Sequence, residues 1–396
     1  MQSLNGSAGR ASNPAAAWNG PCLCARAGGA PQVHPQPALP ISRAVLRYPV
    51  NFMPVIFAPE LTSFARAILT AGGVPEHKAE IVATSLVAAN LRGVDSHGIQ
   101  LLSYYMEQLE AGELDPKTDG RVVSENGACL HYDGMNGLGQ WIAETCCEHA
   151  VRIAKAQGIA MVVARESNHF GACNWWAQKM RDAGQIGIVM CNASPIVPPW
   201  QGRQGRFGTN PICVALPGPW LLDMATTTVA AGKIFKAMIN GQKEIPQGWA
   251  FDDHGVPTTD TVAAYKGMLM PLGGYKGSGL AMMVEILCAV LSGGAMANQI
   301  GGIRVRGRTV RVSQTFLAID IARFLPVEEF TERMEWLVNL IKATPAAPGY
   351  EEVLVAGEPE WRTEARRMAE GIPIPDGNWE SLVKTAGRVN VAVPPV

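Results

Sequence analysis

From Leu61 onward, apolar residues recur at helical spacing, and glycine and proline punctuate the pattern. Leu61 to Thr70 predicts a helix ending at Gly72-Gly73. Pro75 opens a second that runs to Arg92 and stops at Gly93, with proline first and glycine after, as helix ends prefer. A third is expected to start at Ser96-His97. Ile99, Leu102, Met106 and Leu109 form its apolar face and Gly112 closes it, which puts His97 in the first turn. Beyond this the period alternates. A helix over Gln140–Gln157 precedes the apolar run Ile159–Ala164, and one over Ala172–Ala183 precedes Ile186–Cys191. The short runs Ile212–Leu216 and Trp220–Met224 follow. Gly279–Leu291 reads as helix, Phe316–Ile321 as strand, and Val327–Ala343 and Glu360–Glu370 as helices, with no internal repeat.

The fold class is therefore α/β with a helical N-terminal part. Residues 59–125 are expected to form that part and carry the Ser-His-Gly motif, 126–310 an α/β core, and 311–396 an α/β segment returning to the helices. Residues 1–58 break the pattern. Met1 to Pro59 holds four arginines, no Asp or Glu, and many Pro, Ala and Gly, which cannot form a packed core. A disordered extension, or an over-called start codon with Met53 as the true one, is favoured over a transit peptide, because no amphipathic helix can be drawn through so many prolines.

Composition narrows the function. With 396 residues and 47% hydrophobic positions the chain can bury a large core. A net charge of -1 gives no field to draw nucleic acid or a membrane surface. The longest apolar run, Leu280–Ala297, is broken by Glu285, Ser292 and a Gly pair, so it reads as a buried helix. Nine scattered cysteines without a C-x-x-C pair point to reduced, structural thiols and a cytoplasmic setting.

The chemistry is less legible. No G-x-G-x-x-G follows a strand. The nearest substitute is Gly273-Gly274-Tyr275-Lys276-Gly277-Ser278-Gly279 ahead of an apolar helix. Free backbone N–H groups, a helix N-terminus and a lysine could hold a phosphate there, although the lysine precedes the glycine instead of following it as in a P-loop; a tight turn with an exposed lysine fits equally well. In Asp95-Ser96-His97-Gly98, an imidazole at a helix N-terminus would stay neutral and be poised for proton transfer to a carbonyl; a capping serine beside an incidental histidine is the bland alternative. Asp223, ending the strand Trp220–Met224, could orient a histidine or merely cap the next helix. His169 in Ser-Asn-His-Phe-Gly, Asn192, and Gly208-Thr209-Asn210-Pro211 sit at element junctions, where α/β sheets gather binding residues. His77, His131, His149 and His254 read as structural.

Taken together, Arg92–Gly98, Ser167–Gly171, Phe207–Pro211, Leu222–Thr226, Gly255–Asp260 and Tyr275–Leu280 resemble, in order, the malate/L-lactate dehydrogenase family, whose nicotinamide-binding core is a mixed sheet and not a Rossmann fold. The likeness runs from about Leu61 to about Leu382. It implies an NAD- or NADP-dependent oxidoreductase that interconverts a 2-hydroxy acid and its 2-oxo acid as a homodimer. His97 would donate and accept the proton, with Ser96 beside it and Asp223 orienting it, and Tyr105 and His169 would line the substrate pocket. The implied cofactor contacts are Asn192, Gly208, Thr209, Asn210, Leu222, Asp223, Met224, Ala225, Tyr275, Lys276, Gly277, Gly357, Glu358 and Pro359. No metal is implied. One position departs: the family generally has an arginine four residues after the histidine to grip a substrate carboxylate, and here that residue is Leu101. Either another cation serves or the substrate differs. Two other readings stand beside this one: a metal-dependent hydrolase or lyase using His97, His169 and Asp223, and a catalytically impaired relative that only binds nucleotide.

Overall fold

A computed structural model describes residues 53–395. The expected N-terminal extension lies, up to residue 52, outside the described residues. Folded structure begins earlier than Pro59: β1 (Val55–Ile56) pairs antiparallel with β12 (Ile372–Pro373), and α1 (Ala58–Ala71) starts with that proline in its first turn, where a missing N–H costs nothing. α2 (Glu76–Leu91) and α3 (Leu102–Glu110) complete the helical part. Leu61, Phe64, Ile68, Leu86, Leu102 and Met106 face one another in its core and are joined by Trp379 and Leu382 of α11 (Asp376–Arg388). Each such side chain contributes roughly 1.5–3 kcal/mol by leaving water. The C-terminal helix is thus part of the N-terminal core.

The centre is a seven-stranded mixed sheet in the order β2-β3-β4-β11-β5-β6-β7. The strands are β2 (Arg121–Asn126), β3 (Cys129–Asp133), β4 (Ile159–Ser167), β5 (Gln185–Cys191), β6 (Ile212–Ala215), β7 (Leu221–Met224) and β11 (Val312–Asp320). Only β3 and β4 run parallel; every other neighbour is antiparallel. β11 arrives late in the chain and inserts between β4 and β5, a pairing invisible to local pattern, and it begins four residues before the apolar run because Val312–Thr315 are buried on both faces. α4 (Gly139–Gln157) and α5 (Cys173–Asp182) cover one face, where Ile142, Cys146, Trp176 and Phe316 interlock.

The opposite face is covered by α8 (Tyr275–Glu285), which continues into a π-helical turn, Ile286–Val290; Thr315, next to Phe316 on β11, donates from its hydroxyl to the Leu287 carbonyl at 2.9 Å. The helix expected over Gly279–Leu291 therefore starts one turn earlier, at the glycine pair, and its second half is wider than an α-helix. A smaller lobe holds α6 (Ala231–Ile239), α7 (Thr261–Lys266) and the three-stranded sheet of β8 (Ala250–Phe251), β9 (Pro257–Thr258) and β10 (Met268–Leu269). α9 (Val327–Lys342) and α10 (Glu358–Glu370) follow the sheet. The described cysteines are free thiols, all buried except Cys129, and none of the described helices is long and apolar enough to cross a membrane.

Candidate active site

His97 does not sit in the first turn of an α-helix. Asp95–His97 and Ile99–Leu101 are two separate 3₁₀ turns, Gly98 between them is extended at φ -93° and ψ -153°, and α3 begins only at Leu102. The cause is Asn90. Its buried Oδ1 accepts the Ile99 backbone N–H at 2.7 Å, and its Nδ2 donates to Asp95 Oδ1 at 2.7 Å. The amide fills the space a side chain at position 98 would need, since a Cβ there would lie 2.3 Å from Asn90 Oδ1. Arg367 of α10 fixes the other side of the turn, donating to the two Asp95 carboxylate oxygens at 2.7 and 3.1 Å. The helix dipole expected to keep His97 neutral is therefore too far along the chain to act. Burial in the cleft wall does so instead, helped by the positive charge of Arg304, and together they bring the imidazole down to about 4. Its Nδ1 lies 2.9 Å from the Ser96 hydroxyl.

His169 comes from the β4–α5 junction. Asn168 beside it is pinned by donating to the carbonyls of Asn136 and Gly137 at 3.1 and 2.9 Å, and Gln314 of β11 donates to the Asn168 carbonyl at 3.1 Å. Gly139 lets α4 approach this backbone, since a Cβ would meet the Asn168 and His169 carbonyl oxygens at 2.3 Å. The rings of His97 and His169 stack with centroids 5.6 Å apart. Behind them runs a buried relay: Gln140 Nε2 donates to Tyr105 Oη at 2.9 Å, leaving the phenol proton for His169 Nδ1 at 2.7 Å. The Gly171 N–H points at the same Nδ1 from 3.3 Å. This network assigns the neutral ring's proton to Nε2. Burial, then the His97 and Arg304 charges, lower His169 to about 3, and burial raises the Tyr105 phenol above its usual range. Tyr105, expected in the substrate pocket, stands behind His169 and is itself 3% exposed.

The cleft is lined by His97, His169, Asn192, Ala193, Thr209 and Ile303 among others. Gly208 passes so close to Ala193 that a Cβ would lie 2.5 Å from its backbone. Asn192 and Asn210, expected to contact cofactor, spend their side chains on the protein. Asn192 accepts from Ser313 N and donates to the Ala295 carbonyl, and Asn210 accepts from Ala193 N and donates to the Ala281 carbonyl and to Glu285. They hold the cleft backbone. The segments expected around the dinucleotide do converge. The Leu221 N–H donates to the Ala356 carbonyl at 3.0 Å, so Gly357, next along the chain, packs against Leu221 at the start of the strand that carries Leu222, Asp223 and Met224, with Ala225 just after it. Gly357, at φ +92°, holds a backbone conformation that a side chain would strain, and a Cβ there would press against the Leu221 carbonyl oxygen at 3.1 Å. Glu358 is held by Lys342 at 2.7 Å. Gly277 packs on Leu272 and the Thr226 carbonyl, and Thr226 N donates to the Thr209 carbonyl at 2.9 Å. Tyr275 and Lys276 stand exposed at the start of α8.

Asp223 makes no hydrogen bond to His97. Its Oδ2 accepts from the Asn174 side chain at 2.7 Å and backbone at 3.0 Å, and the packing around its carboxyl raises its pKa although the side chain keeps contact with solvent. The orienting role expected of it at His97 is thereby taken by Ser96, and the trio of His97, His169 and Asp223 needed for a metal does not assemble; among the described residues no three His, Cys, Asp or Glu side chains do. Asn90, Gln140, Asn174 and Arg367 are the supporting residues that sequence reasoning missed. Each lies inside a regular helix, and only the fold aims it at the site.

A mixed sheet without the Rossmann fingerprint, with this histidine pair set just beyond the end of its interior strand β4, is the architecture of a class of oxidoreductases acting on CH–OH groups. The chain belongs to the malate/L-lactate dehydrogenase family, whose family model matches residues 56–383. A malate dehydrogenase of Pyrococcus horikoshii is 39% identical over 84% of this chain and 94% of its own. An L-sulfolactate dehydrogenase of Methanocaldococcus jannaschii is 37% identical over 82% of this chain and 94% of its own. The solved structure of malate dehydrogenase from Pyrococcus horikoshii superposes with a TM-score of 0.80 at 36% identity, covering 88% of this chain and 99% of that one.

Proposed function

We propose that this protein interconverts a 2-hydroxy acid and its 2-oxo acid with NAD or NADP, and that His97 donates and accepts the proton. The observation that carries the reading is the pair of stacked, neutral imidazoles, 5.6 Å apart, that reach the cleft from two separate loops. A neutral His97 is ready to take the hydroxyl proton when the hydroxy acid is oxidised, and with Ser96 on Nδ1 its free Nε2 is the atom for that work. His169 would offer its Nε2–H to the substrate oxygen, held in that tautomer by Tyr105 and Gly171. A bound nicotinamide dinucleotide would supply or accept the hydride.

The residues present fit that group. Gly208 and Gly357 keep the groove free of side chains where backbone runs close, and the first turn of α8, where a pyrophosphate would be stabilised, carries Lys276. Thr209, Leu222, Met224 and Ala225 would line it, and Glu358 with Pro359 would close its far edge. In solution we expect a homodimer, because α8 and the turn after it leave Met282, Ile286, Val290 and Leu291 exposed along one side.

The test is oxidation of NADH and NADPH at 340 nm against 2-oxo acids. His97→Gln should cut kcat by roughly 10²- to 10⁴-fold while cofactor binding persists; a near-normal rate would refute the assignment. The impaired-relative reading is favoured by Leu101 alone, and predicts cofactor binding without turnover.

A further inference from the structure

The cation expected beside His97 is missing from helix α3 because Leu101 is 3% exposed and packed into the N-terminal helical core. The loop over residues 300–311 supplies four others. Three are engaged: Arg306 with Glu113 at 2.9 Å, Arg308 with the Gln299 carbonyl at 2.8 Å, and Arg311 with Glu166 at 2.7 Å. Arg304 pairs with no carboxylate among the described residues. Its guanidinium instead lies over two aromatic rings, Tyr104 at 5.3 Å and Phe235 at 5.6 Å. Tyr104 adjoins Tyr105 on α3. Phe235 is on α6, which touches the motif at Gly232, where a Cβ would lie 3.1 Å from Ser96 Cβ. The residue before Arg304, Ile303, lines the cleft that holds both imidazoles.

The loop is not free to wander. Gly301 N donates to the Val310 carbonyl at 2.8 Å and Val305 N to the Gly302 carbonyl at 2.9 Å, closing a turn with Arg304 at its tip. A guanidinium stacked on aromatic faces keeps its edge N–H groups for an in-plane partner, the geometry that grips a carboxylate with two parallel bonds.

We propose that Arg304 is the substrate-carboxylate anchor of this enzyme, gripping the acid from the loop side of the cleft in place of the arginine that helix position 101 lacks. The inference rests on the 2-hydroxy-acid reading above. The Arg304 charge is already felt at both imidazoles, where it lowers each pKa, so an anion bound between them would be stabilised by the same field.

Arg304 is exposed, so Arg304→Ala should fold. The experiment compares wild type, Arg304→Ala and Arg304→Lys on a 2-oxo acid and on its uncharged amide, and measures binding of oxamate to the cofactor-loaded protein by tryptophan fluorescence. Arg304→Ala is expected to raise KM for the acid and Kd for oxamate roughly 10- to 100-fold with kcat changed far less, to lose the preference for acid over amide, and to recover partly with added guanidinium. Arg304→Lys should fall between, because an ammonium cannot make the paired contact. Unchanged oxamate binding and an intact acid preference in Arg304→Ala would overturn the proposal and leave the reaction class standing. Oxamate binding that depends on Arg304 in a protein that turns over no 2-oxo acid would uphold the anchor and overturn the reaction class. Neither binding nor turnover in wild type would overturn both.

Discussion

Replacing Asn90 by alanine removes one buried amide that makes two bonds, and the outcome can be worked from the structure. The Ile99 N–H loses its acceptor at 2.7 Å, and Ile99 is 1% exposed, so water does not replace it. A buried donor left unpaired costs about 1–3 kcal/mol. Asp95 loses the donor at 2.7 Å but keeps Arg367, so that loss is smaller, about 0.5–1 kcal/mol; the void left against Gly98 adds to it. The expected total is about 2–4 kcal/mol of unfolding free energy, read by urea denaturation with linear extrapolation. His97 is two residues from the orphaned N–H, so kcat/KM should fall at least about tenfold as the ring loses its fixed approach. Asn90→Asp separates the two bonds. One oxygen still accepts from Ile99, while the other faces the Asp95 oxygen that Nδ2 now serves, and two carboxylates at that distance repel. Asn90→Asp should therefore be weakest near neutral pH and regain stability as acid protonates the pair. Wild-type stability and activity in Asn90→Ala would refute the view that this amide shapes the catalytic turn.

Acid should unfold the protein through its two site histidines. Their folded values, about 4 for His97 and about 3 for His169, lie below the ordinary imidazole value of about 6.5, so the unfolded chain takes protons first. Their contribution is complete above about pH 6.5 and is lost as pH falls toward those values, and His97→Gln should flatten part of that slope in denaturation measured from pH 7.5 to 4.5. By the same reasoning, kcat/KM for hydroxy-acid oxidation should stay level well below pH 6.5. Tyr105→Phe strands the Gln140 amide and frees the His169 tautomer; about 1–3 kcal/mol of stability and a drop in kcat/KM are expected from urea and 340 nm assays. Gly208→Ala drives a methyl to 2.5 Å from the Ala193 backbone, so the cleft wall must shift, and weaker cofactor binding in a fluorescence titration is the expected result.

Much of this protein was written locally. The 3.6-residue period and the Pro-first, Gly-last punctuation set α1 and α2, and short apolar runs between helices set β4 and β5, because those signals arise from side chains within one turn or one strand. The ordered motifs around His97, His169 and the glycine-rich turn gave the family and named both imidazoles. Tertiary structure decided what the chain cannot encode nearby. β11 enters the sheet more than 120 residues after β5, and its register depends on partners on both sides. His97 leaves the helix because Asn90, a helical residue like any other in sequence, bonds across to Ile99. Asp223, a strand-end carboxylate that looked free to serve a histidine, is claimed by Asn174 from another element. Arg304, one of several arginines in a loop with no pattern, is singled out only because Tyr104 and Phe235 meet beneath it and its neighbours are already paired. Periodicity records what a residue does along its own element; hydrogen bonds and charges act through space, and folding alone brings those partners within reach.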